Sequence, residues 1–192
     1  MLINEDDLLN YLKKRSFEIM GRGSYYHDYA HAVNVFDNVR KIIKKEKLIK
    51  KSSRIILLTA ALFHDIKRNE AEHGLKSSIE AEKILHNIRC FPQKYIKNVK
   101  KIIISHDFQQ INLDEKILFD ADRMDFFNEL GMIRSFMMYG YEGLSLKEAC
   151  FAYDKLLDVF FQSIHLNSSI ALSKSKYAKM KNVSRKLLLN YK

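Results

Sequence analysis

A chain of 192 residues, 47% hydrophobic and 29% charged, has the size and balance of one globular domain that buries its core without disulfide staples. Its formal charge of +10 admits an anionic partner, nucleic acid or phosphorylated small molecules, but a general Lys, Asn and Ile bias gives the same charge. Cys90 and Cys150 lack paired spacing, Glu5, Asp6 and Asp7 stand where a secretory leader is basic, and the longest apolar run, 55–63, cannot cross a bilayer, so a cytoplasmic protein without disulfides or a membrane partner is expected.

Helical periodicity dominates, and one proline and six glycines leave few of the breaks a many-stranded fold needs. Asp6 or Asp7 opens a first helix, with Leu8, Leu9, Leu12, Phe17 and Ile19 apolar, ending near 21–23. A second runs over about 28–47, with Val33, Phe36, Val39 and Ile43 three or four apart. Ser52 or Ser53 caps a third, which carries the apolar run into His64-Asp65. Residues 67–74 read as a charged loop, and Ser77 or Ser78 opens a helix through Ile88. Pro92 suits the start of the next, which ends at His106. After a turn at 109–112 come 117–125 and a helix to Tyr139. Gly140 and Gly143 break the chain, Ser145 or Leu146 begins a helix to about Ile164, and Ser168 or Ser169 begins a final basic one. No repeat, linker or composition shift marks a second domain. The expectation is one all-α domain over 1–192, with a motif-bearing core at about 24–127 and C-terminal helices at 128–192 packed on it.

Three segments carry chemistry. In Leu62-Phe63-His64-Asp65 a buried helix delivers an imidazole and a carboxylate at its last turn. An unpaired buried carboxylate costs several kcal/mol, so the pair needs a cation or dense hydrogen bonding. His27 and His31 lie four apart on one helical face, with Asp28 placed to cap it. In Asp120-Ala121-Asp122-Arg123-Met124-Asp125 three carboxylates sit among apolar neighbours. Met124 at a ligand position and Asp125 at the glycine position exclude an EF-hand. In a helix Asp122 and Asp125 share a face, and Asp120 reads as a cap. His73 and His106 are further candidates, whereas His86 and His165 have no acidic companion in sequence.

The order His31, His64-Asp65, Asp122 resembles the HD-domain superfamily of metal-dependent phosphohydrolases. The text around His27–His31, Leu62–Ile66, Asp120–Asp125 with Leu130-Gly131, and Lys155-Leu156-Leu157 is similar to its small bacterial, nucleotide-pyrophosphatase-like subgroup, over about 24–190. The resemblance implies an all-α HD-domain helical bundle. It further implies that His31, His64, Asp65 and Asp122 hold one divalent ion, with Asp120 as fallback, and that His73 and His106 stand where two-metal members place further histidines. Asn34, where the subgroup has Arg, and the loop 67–70 depart from the pattern.

Two imidazoles and two carboxylates suit Mn²⁺, Fe²⁺, Co²⁺ or Ni²⁺, with Mg²⁺ also admitted, and such an ion activates water for attack on phosphorus. Lys67 and Arg68 are placed to hold phosphate oxygens, Glu70 to orient or deprotonate the water, and His106 to protonate the leaving oxygen. Arg123 faces phosphate, or pairs with Asp120 or Glu129. The expected function is hydrolysis of a phosphoester or phosphoanhydride in a phosphorylated small molecule, a nucleotide or relative. The alternative is a basic nucleic-acid-binding or regulatory module without turnover. No P-loop is present, and a homodimer is compatible with the sequence.

Overall fold

The computed structural model describes residues 4–21, 29–46, 50–106 and 108–191, with the backbone alone for Lys51 and Ser52. The described residues form helices and no strand: α1 (Glu5–Met20), α2 (Tyr29–Lys45), α3 (Lys51–Phe63), α4 (His73–His86), α5 (Ile96–Ser105), α6 (Leu113–Asp125), α7 (Glu129–Tyr141), α8 (Leu146–Gln162) and α9 (Asn167–Leu189). The fold is all-α. Among the described residues no helix is long and apolar enough to cross a membrane.

The helix α3 is the axis on which the site hangs. Every residue from Ile56 to Phe63 is buried, so this stretch of the helix has no solvent face, and α1, α2, α5 and α6 pack around it. Polar ties fix the register of these contacts. The Ser16 hydroxyl donates to the Leu62 carbonyl at 2.8 Å, and the Asn38 amide donates to the Ala121 carbonyl at 3.1 Å, so α1 is pinned to α3 and α2 to α6. The resulting apolar core runs from Leu8 to Met124. A second apolar cluster joins Phe127, Tyr139, Tyr153, Leu157, Ile164 and Met180, the ground on which α7, α8 and α9 pack.

Helix starts depart from several sequence expectations. Asn4, whose side chain accepts from the Asp7 amide, opens α1 in place of Asp6 or Asp7, and Phe17 is exposed. Lys50 precedes α3, so Ser53 lies inside the helix rather than capping it. The loop at 67–74 is shorter than expected, because α4 begins at His73. There Ser77 accepts from the Lys67 amide and Ser78 donates to the Leu75 carbonyl: both hydroxyls are buried ties, not caps. Asn112 and Glu115 form a reciprocal capping box, which starts α6 four residues before the expected 117 and leaves Asp120 mid-helix. Asn128 then caps α7 through the Gly131 amide, opening the helix expected to reach Tyr139, which runs to Tyr141. The final helix opens at Asn167 with no side-chain cap. His27, Asp28, Lys47 and Asp107 lie outside the described residues.

Candidate metal centre

Four helix ends and one helix face meet at the end of α3. His31 stands in the first turn of α2, His64-Asp65 at the end of α3, His73 at the start of α4 and His106 at the end of α5, while Asp122 and Asp125 face them from α6. Glu72, with φ of 55°, takes a left-handed backbone that costs on the order of 1 kcal/mol for a residue with a Cβ. That turn carries the chain into α4 at His73.

Three histidines at this junction, His31, His64 and His106, each have one ring nitrogen committed to an acceptor. His64 Nδ1 donates to the Ala61 carbonyl at 3.0 Å, and His106 Nδ1 donates to the Ile103 carbonyl at 2.5 Å. Each ring thus caps a carbonyl at its own helix end and presents Nε2 inward. His31 Nδ1 donates to Asp125 Oδ2 at 2.8 Å. This is the arrangement that sets a ligating imidazole's tautomer and aim.

The atoms left facing inward crowd together: His31, His64 and Asp65 offer ligand atoms all within 4.8 Å of one another, and Asp122 lies beside the two imidazoles. His31 Nε2 lies 3.2 Å from His64 Nε2, 3.2 Å from Asp122 Oδ1 and 3.6 Å from Asp65 Oδ2. His64 Nε2 lies 3.7 Å from Asp65 Oδ2 and 3.8 Å from Asp122 Oδ1. Two nitrogen and two oxygen donors at these separations repel one another unless a positive charge lies among them. In the metal-free chain a proton meets that need. Burial opposes charge on His31, but Asp122 and Asp125 overcome it and push its pKa up to about 10. Burial lowers His64 to about 4, with Asp65 opposing, so its Nε2 lone pair is available at neutral pH. Although burial disfavours their charge, His31 holds Asp122 and Asp125 below the usual carboxylate range, and His64, His106 and Arg68 do so for Asp65. The donor set fits a divalent cation of the Mn²⁺ to Ni²⁺ group.

Beside this cluster lies a cavity of about 270 Å³, lined by His31, His73, His106 and Asp122, by Arg68, Arg123 and Arg134, and by Phe126, Met138, Leu156 and Phe160 among others. Arg123 sits over the rings of Phe119 and Phe160, at 4.6 and 4.2 Å from their centroids, with Asp122 Oδ2 3.6 Å from Nη1. It pairs with neither Asp120 nor Glu129. Asp120 is fully buried and accepts from the backbone amides of His165 and Leu166, both at 2.9 Å, and from the His165 ring. The fallback ligand is therefore a tie between α6 and the start of α9, and His165 does have an acidic partner. Lys67 and Glu70 pair with each other at 3.3 Å, Glu70 also reaches Lys76 at 3.2 Å, and neither lines the cavity.

Sequence reasoning missed Arg134, which donates to the Asp125 carboxylate that aims His31, and Asn128, which donates to Asp125 Oδ1 at 3.0 Å. Asp125 itself was legible as sharing a face with Asp122. Arg134 gave no signal, because only the reversal between α6 and α7 brings it back to Asp125.

The HD domain family model matches residues 28–126 of the chain. Among solved structures, Bacillus subtilis YpgQ in complex with ADP is similar at 21% identity and a TM-score of 0.74, over 98% of this chain and 97% of that one. A Listeria innocua protein aligns at 24% identity and a TM-score of 0.71, over 96% of each chain. An HD-superfamily hydrolase from Bacillus thuringiensis aligns at 19% identity and a TM-score of 0.74, over 98% of each. No curated protein matches the sequence. The structural likenesses speak for the shared fold, and the family match spans more than half of the residues, including all four donors of the inner cluster: the chain belongs to the HD domain family.

Proposed function

We propose that this HD protein is a metal-dependent phosphohydrolase acting on a phosphorylated small molecule of the nucleotide class, with His31, His64, Asp65 and Asp122 as the ligands of one divalent ion. The observation that carries the reading is the convergence of four inward donors, with Nδ1 of each histidine already committed elsewhere. A divalent ion held there supplies Lewis acidity toward a phosphoryl oxygen and lowers the pKa of a bound water. Asp125, backed by Arg134 and Asn128, keeps the His31 ring aimed. Arg68 and Arg123 offer charge-assisted donors to phosphate oxygens, and His106 is the acid for the leaving oxygen. Lys67 and Glu70, paired outside the cavity lining, are assigned no step.

Support for a nucleotide comes from a cavity that joins arginines to Phe126, Met138, Leu156 and Phe160, and from the ADP complex of YpgQ. A flat apolar group and an anionic tail would both find partners there. The proposal extends to one domain over the chain in the cytoplasm, and to a homodimer formed on α7, where Leu130, Ile133, Met137 and Tyr141 are exposed. Basic α9 lends the nucleic-acid alternative less than its sequence promises, because Lys181 is buried and Lys179 pairs with Glu129.

The test is a screen of nucleoside mono-, di- and triphosphates with Mn²⁺, Co²⁺, Ni²⁺ and Mg²⁺, following phosphate and pyrophosphate release. Turnover should require metal and fall at least about 100-fold in Asp65→Ala, as expected when a ligand is removed. Absence of metal-dependent release from every compound overturns the reading.

A further inference from the structure

Asp65 faces two ways. Its Oδ2 belongs to the inner cluster, 3.6 Å from His31 Nε2 and 3.7 Å from His64 Nε2. Its Oδ1 lies 3.6 Å from His73 Nε2 and 3.6 Å from His106 Nε2. Asp65, His73 and His106 thus form a second group whose ligand atoms lie within 4.8 Å of one another. A carboxylate with one oxygen in each group is what a pair of bridged ions about 3.5–4 Å apart would use.

That second position already receives a cation. Arg68 Nη1 lies 2.7 Å from His73 Nε2 and 3.8 Å from Asp65 Oδ1. A guanidinium has donors only and keeps its charge at any physiological pH. His73 Nε2 must therefore accept from Arg68, and the lone pair a second ion would need is engaged. The backbone sets this placement. The Arg68 amide donates to the Asp65 carbonyl at 3.0 Å, and the Lys67 amide donates to Ser77 Oγ at 3.0 Å, so the turn after α3 is pinned to itself and to α4. The left-handed Glu72 then brings His73 back toward Arg68.

We propose that Arg68 is a tethered second cation: it holds the Asp65–His73–His106 group closed to a second metal ion, keeps the chain to one ion, and offers its remaining N–H donors to the substrate's phosphate oxygens. The inference rests on the reading of the inner cluster as a metal centre. It adds to that reading what it says of His73, whose Nε2 here accepts from a guanidinium rather than binding a metal. Removing the guanidinium while keeping the length of the side chain should convert a one-ion protein into a two-ion protein.

The experiment counts metal. Wild type, Arg68→Met, Arg68→Lys and the double variant Arg68→Met with His73→Ala are saturated with Mn²⁺, freed of excess by gel filtration and measured by elemental analysis, with circular dichroism to check folding. The expected counts are one ion per chain for wild type and Arg68→Lys, two for Arg68→Met, and one for the double variant. Paramagnetic resonance should then show spin-coupled Mn²⁺ in Arg68→Met alone. Two ions in wild type, or one ion in folded Arg68→Met, overturns the inference and leaves the inner cluster standing as a metal centre. No ion in wild type sinks that reading and the inference together.

Discussion

At His31 the structure makes a proton and a metal ion compete for one nitrogen. The ring is buried between carboxylates, which push its pKa up to about 10 against the cost of burial, whereas burial drops His64 to about 4. At pH 7 the metal-free site therefore holds one proton, on His31, and none on His64. A ligand must be deprotonated to bind metal, so filling the site should release about one proton per ion, and affinity should rise as pH increases from 6 to 9. Calorimetric titration with Mn²⁺ in two buffers of different ionisation enthalpy measures the proton count. A count of zero would show that the cation does not take the place of the His31 proton. The identity of these residues was readable from their order and spacing in the sequence. Their protonation was not, because it depends on Asp122 and Asp125 approaching from a helix more than ninety residues away.

The reversal between α6 and α7 is the element that most constrains the site, and Gly131 makes it tight. A Cβ there would stand 2.4 Å from the Asp125 carbonyl oxygen and 2.8 Å from that of Phe126, both backbone atoms that cannot rotate away. Gly131→Ala should push the first turn of α7 off the end of α6, at a cost of about 1–3 kcal/mol in stability, and carry Arg134 away from Asp125. Chemical denaturation measures the first effect, and weakened Mn²⁺ binding in the folded variant reports the second. Equal metal affinity in the variant would show that Arg134 does not steady Asp125 and His31. Helix existence at this level was legible, since apolar spacing and caps such as Ser145 are local. Boundaries were less so: Asn112, Asn128 and the buried hydroxyls of Ser77 and Ser78 look alike in sequence, and only packing separates a cap from an interior tie.

Across the whole molecule, large apolar side chains are exposed on several elements, and on α7 four of them form a stripe. Leu130, Ile133, Met137 and Tyr141 expose 52, 50, 45 and 77% of their areas at spacings that line one helical face. On the same helix Gly131, Arg134, Ser135 and Met138 line the cavity, so α7 is a wall between the site and this stripe. Leu187, near the end of α9, lies beside Ile133 and Met137 in one shallow depression, so the stripe is the surface on which a homodimer is proposed. It carries no charge with which to meet an anionic partner. Light scattering should give the mass of two chains for wild type and of one chain for Ile133→Glu with Met137→Glu, two exposed positions whose change leaves both apolar cores intact. A wild-type mass of one chain at all concentrations removes the dimer.

The all-α class was legible because helical periodicity is local, and the ordered pattern of His31, His64-Asp65 and Asp122, resembling a known family, named four side chains that the fold brings close together. Tertiary structure alone decided what surrounds them. It turned Asp120 into a tie for α9, withdrew Lys67 and Glu70 into a surface pair, and brought Arg134 to Asp125 and Arg68 to His73. A candidate donor can be named from residue type and position, whereas the direction of a charge depends on which distant backbone groups and carboxylates are already satisfied.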